Sequence, residues 1–174
     1  MNNDYSGGST MIMHSFLPPE YLKLIRSGYF DEKGIIKEDY LWKTTKDLTK
    51  RFNPGQVLTS TQLRNFFNHV KLAKDTYKDS LASHKDLDAA GRVLMSKIRA
   101  LDCLIHNAKG KQDSNIPDSF FEFIVENVKA CESPKDVIDG FALHFQSVLG
   151  YSKYFEALKK IEDNKKKQFK YNGR

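Results

Sequence analysis

The chain folds as an all-α protein, one compact bundle of about five to six helices. Three observations predict it: apolar residues return every three or four positions over long segments, capping signals mark where those segments start, and sustained period-two alternation is nearly absent. The length, 174 residues, suits a single domain and is short for two.

The elements follow in order. Met1 to about Ser15, with Asn2-Asn3 and Ser6-Gly-Gly-Ser9, reads as a mobile N-terminal tail, residues 1–15. Pro18-Pro19-Glu20 opens a short helix over Tyr21 to Arg26, which Ser27-Gly28 stops, because proline is pre-set for a first helical turn and glycine suits a helix end. Asp31 to Gly34 is a turn. A helix is expected from about Glu38 to Phe52, with Tyr40, Leu41 and Leu48 as its apolar contacts and Asn53-Pro54-Gly55 as its stop.

Thr59 then caps a helix from Ser60 to Ala82, and Gln62, three residues on, can return a hydrogen bond to the cap's own N–H. At 100° per residue Leu63, Phe66, Phe67, Val70, Ala73 and Tyr77 share one side, while Arg64, Asn68, Lys71, Asp75 and Lys78 line another. The next helix, about Lys85 to Asn107, carries Leu87, Ala90, Leu94, Ile98, Leu101 and Ile105 on its buried face. Gly110 to Asn115 is a polar loop. Pro117 introduces a helix from Asp118 to Cys131 with Phe120, Phe121, Ile124 and Val128 as its stripe. Ser133, with an acid three residues on, starts the longest helix, lined by Val137, Phe141, Phe145, Val148, Leu149 and Phe155 and expected to run to about Asp163. The bundle thus spans 16–163, and residues 164–174, rich in lysine, are expected to fray into a basic C-terminal tail.

The formal charge is +6, from 28 basic and 22 acidic residues. Its excess gathers in the middle of the chain, residues 58 to 112, which makes that stretch the candidate anion-binding surface. Arg64, Lys71 and Lys78 repeat every two turns, a spacing that lets cations follow successive phosphates of one strand without reading its bases. The same row is also what an ordinary solvated helix face looks like. Lys97 falls inside the apolar arc of its helix, so its ammonium needs either a phosphate partner at a groove or a stem that snorkels to water. Arg92 and Arg99 share the polar side of that helix and suit phosphate or protein contacts. Lys153 lies lateral to the buried stripe of the last helix.

Catalytic strings are missing. There is no Walker, GxSxG or GxGxxG pattern, and Cys103 with His106 offers two ligands where a metal site needs three or four. Neither a cofactor nor a metal is expected. Cys103 and Cys131 are too few for a disulfide framework and no apolar leader or membrane span is visible, so a reduced, cytoplasmic protein is expected.

Leu58-Thr-Ser-Thr-Gln-Leu-Arg-Asn-Phe-Phe-Asn-His-Val-Lys71 resembles the signature of the small subunit of the type III-A CRISPR effector, the Csm complex, and Phe145-Gln-Ser-Val-Leu-Gly-Tyr-Ser-Lys-Tyr154 is similar to that family's closing motif. Gln146, Ser147 and Gly150 depart from the usual Glu, Ala and Ala, and the arginine often found after the family's middle helix has no clear counterpart near Asn107. The resemblance implies a non-catalytic RNA-binding subunit in antiviral defence, several copies of which line a guide RNA paired with target RNA and touch one another and the other Csm subunits. It assigns RNA contact to Arg64, Lys71 and Lys153 by motif and to Lys97 by position; Asn68, Lys78, Arg92 and Arg99 join them from their placement on the same helices. The competing expectation is a helical adaptor whose basic face meets an acidic protein.

Overall fold

The computed structural model describes the backbone of residues 15–53, 57–83 and 86–172 and the side chains through Gln168. The expected mobile tail lies outside these residues except for Ser15, whose hydroxyl donates to Glu122 at 2.8 Å.

Six α-helices carry the fold: α1 (Pro19–Arg26), α2 (Lys43–Arg51), α3 (Ser60–Ala82), α4 (Leu87–Lys109), α5 (Asp118–Ala130) and α6 (Ala142–Asn172). No strand forms among the described residues; Phe30 and Ile36 make an isolated bridge across the Asp31 turn, which Gly34 closes at φ +75°. α3 packs between α4 and α6, α5 lies on α4, and α1 and α2 close the other side against α5 and α6. One core runs through all of them, and Phe120, Phe123, Phe141 and Phe145 stack and tilt on one another at its centre.

The cap of α3 forms as the sequence predicts, Gln62 N donating to Thr59 Oγ1 at 3.1 Å and Thr59 N to Gln62 Oε1 at 2.9 Å. Four expectations need correction. The helix expected from Glu38 is broken: a 3₁₀ turn covers Glu38–Tyr40, Trp42 adopts a non-helical backbone, and α2 starts only at Lys43, which leaves Leu41 at the surface. Leu87 is exposed because it opens α4 beyond its neighbours, and Gly91 takes the buried place against Pro134. In α5 Phe123 is fully buried beside Phe120, whereas Phe121 is half-buried against His106. The last segment starts with a π-helical stretch, Asp136–Phe141, and α6 continues through Asn172 where a frayed tail was expected from 164. Lysine and glutamine are good helix formers, and Lys159–Asp163 and Lys160–Glu156 pair one turn apart along the way.

The π-helical stretch lies against a buried aromatic ring. A Cβ on Gly140 would lie 2.6 Å from the Tyr29 ring, so the backbone of this segment sits directly on a buried aromatic side chain. Ser133 and Asp136 box its start, with Ser133 N donating to Asp136 Oδ2 at 2.8 Å and Asp136 N to Ser133 Oγ at 3.3 Å.

Candidate nucleic-acid interface

All eight predicted cationic and amide residues are exposed, and none forms an ion pair among the described residues. They do not form one surface. Arg64, Asn68, Lys71 and Lys78 lie along the flank of α3 turned away from α4, since the residues facing α4, among them His69, Ala73, Thr76 and Ser80, sit on the opposite side of the helix. Asp75 lies in that row and makes no ion pair with its lysines, so it lowers the local field without occupying either ammonium.

Lys153 joins this flank. α3 and α6 run antiparallel: Ser60 Oγ donates to Glu156, and the Phe67 ring meets Phe145 at 5.5 Å between centroids. Lys153 follows on the α3 side of α6, level with the first turn of α3, so Arg64, Lys71 and Lys153 border one outer seam. Glu156 is held below the usual carboxylate range by its hydrogen bonds from Ser60 and Lys160 and stays charged there.

Lys97 goes elsewhere. Its stem leaves the apolar arc and its ammonium donates to Thr76 Oγ1 at 3.3 Å, in the groove between α3 and α4, so the snorkelling alternative describes its geometry. Arg92 and Arg99 stand on the far flank of α4, lining a shallow cleft with Met95 and Pro134, about 140° and 160° around the helix from Lys97. The helix spacing shows which residues share a row; only the packing of α3 shows that one row faces solvent beside α6 and that Lys97 opens on another groove.

Sequence reasoning missed a buried polar chain. Tyr29 donates to Asn127 Oδ1 at 2.9 Å, Asn127 Nδ2 to Tyr21 at 2.7 Å, Tyr21 lies 2.9 Å from His144 Nε2, and His144 Nδ1 lies 2.7 Å from the Tyr40 carbonyl. The chain is satisfied when Nδ1 of His144 carries the proton and Nε2 accepts from Tyr21. Burial pushes His144 down to about 4 and raises the Tyr21 and Tyr29 phenols, so every member is neutral near pH 7. Their positions span four elements far apart in sequence, and no local pattern could have joined them. The network binds the fold and leaves no group open to solvent.

Among the described residues no His, Cys, Asp or Glu cluster could hold a metal, and no helix is long and apolar enough to cross a membrane. A single-domain helical bundle with a cationic seam and an interior devoted to packing has the build of a scaffold or binding subunit. Residues 37–158 match the family model Csm2 Type III-A, and the chain belongs to that family, the small subunit of the type III-A Csm complex. Searches of curated proteins and of solved structures return no confident match.

Proposed function

We propose that the chain is a non-catalytic, RNA-binding small subunit of the type III-A Csm complex and that the seam of Arg64, Asn68, Lys71, Lys78 and Lys153 tracks RNA phosphates. The observation that carries the reading is the placement of exposed cations, without ion-pair partners among the described residues, along one side of a rigid, capped helix within the matched segment. Contacts of this kind hold guide and target RNA by charge and shape, independently of sequence. Several copies would line the RNA path, touching one another and the remaining Csm subunits, in the cytoplasm. Lys97, Arg92 and Arg99 face other directions and suit a second RNA segment or a neighbouring subunit.

Fluorescence anisotropy with single-stranded RNA over a salt series tests the proposal. Affinity should fall steeply with salt, and Arg64→Ala with Lys71→Ala should flatten the slope while circular dichroism stays unchanged. Binding that ignores salt, or a slope that the double variant leaves intact, would refute the phosphate-tracking seam. The adaptor reading, a basic face meeting an acidic protein, predicts that nuclease treatment leaves the partner bound.

A further inference from the structure

We infer that the cleft between α3, α4 and the 110–116 loop is a nucleobase pocket, an inference that rests on the RNA-binding reading above. The cleft measures about 510 Å³, within the roughly 300–1,000 Å³ of small-ligand sites. Its floor is Phe66, Leu104 and Ile116, and its walls carry the side-chain amides of Asn65, Asn107 and Asn115. Those three amides have no side-chain hydrogen bond among the described residues, so both donor and acceptor edges remain available. Gln62, also in the wall, spends its oxygen on the α3 cap and keeps its NH₂ free.

Charge separates a base from a phosphate as the occupant. Lys111 and Asp113 both line the cleft and cancel, so the site offers no net attraction to an anion. Paired donors and acceptors over an apolar floor match the edges and faces of an unstacked base, which single-stranded RNA exposes. Lys97 stands in the same α3/α4 groove, two helical turns from Leu104 toward the Thr76 end and about 10 Å along the axis, where it can meet a phosphate of a neighbouring nucleotide on the same strand. The pocket and the seam on the other flank of α3 would then grip different parts of the RNA.

Anisotropy with a base-containing oligoribonucleotide and an abasic oligomer of equal length tests this, with free adenosine and uridine monophosphates as competitors. The base-containing strand should bind about tenfold more tightly at every salt concentration, and Asn65→Ala with Asn107→Ala should remove that advantage without changing the salt slope. Competition by a free mononucleotide would identify a site that also takes nucleotides from solution; competition by the strand alone would make it part of the RNA path. Equal binding of the two oligomers in the wild-type protein overturns the pocket while leaving the phosphate seam standing, whereas loss of salt dependence would refute the seam itself.

Discussion

α3 and the first half of α6 lie side by side and solve different problems. α3 is a regular helix with a boxed N-terminus, one side buried and one flank left to cations. α6 follows a π-helical stretch, buries a histidine, and is fixed to α1, to the 3₁₀ turn and to α2 through hydrogen bonds that its sequence does not advertise. The comparison separates a helix built to present side chains from one built to hold the bundle together, and substitutions in the two should fail in different ways.

Gly140→Ala should have the largest effect. The added methyl meets the Tyr29 ring, in a core without room to yield, and a loss on the order of 2–3 kcal/mol is expected in thermal or urea unfolding. Gly150→Ala, ten residues on, meets nothing within 4 Å and should be neutral or slightly stabilising, which makes it the control.

Acid should reach α6 before α3. His144 is neutral when folded, with its pKa lowered to about 4, and regains an ordinary value near 6.5 when unfolded. Between these values the unfolded chain binds the extra proton, so stability is complete above about pH 6.5, falls as pH drops toward 4, and loses roughly 3 kcal/mol in all. His144→Gln should flatten this dependence in urea melts taken from pH 7 to 4, at a cost in stability near neutrality. A wild-type profile that is flat over this range would mean that the ring is solvated.

How much of this could be read from the chain follows the same division. The α3 boundaries and cap, the α4 stripe from Leu94 to Ile105, and Phe120, Ile124 and Val128 of α5 depend on residues within a turn or two of each other and are legible, whereas the period alone misplaces Leu87 and Phe121 on the buried face. Tyr29, Asn127 and His144 are brought together by tertiary packing, the break before Lys43 reflects the buried Tyr40 and its network, and the reach of α6 past Asp163 depends on many weak local preferences rather than on any apolar stripe.

On the α3 side the effects should be on binding and leave stability alone. The double substitution of Arg64 and Lys71 removes two phosphate contacts and should lower the salt slope on single-stranded RNA by about 1.4, while the melting temperature stays within about 1 °C because exposed cations without ion pairs contribute little to folding. Lys97→Ala should lower the salt slope by less, since it removes one cation, and should cost slightly more stability, through the loss of its exposed hydrogen bond to Thr76.

The smallest expected change is Lys153→Ala, and it discriminates best, because Lys153 is the one member of the seam carried by α6. If the seam is a continuous surface, combining Lys153→Ala with Arg64→Ala should produce more than the sum of the two losses in RNA affinity, since neighbouring cations share the same phosphates and, in each single variant, the remaining one can shift toward the vacated position. Strict additivity would place Lys153 on a separate stretch of RNA. An unchanged affinity in the single variant would reduce the interface to α3 alone, with α6 serving only to hold that helix in place.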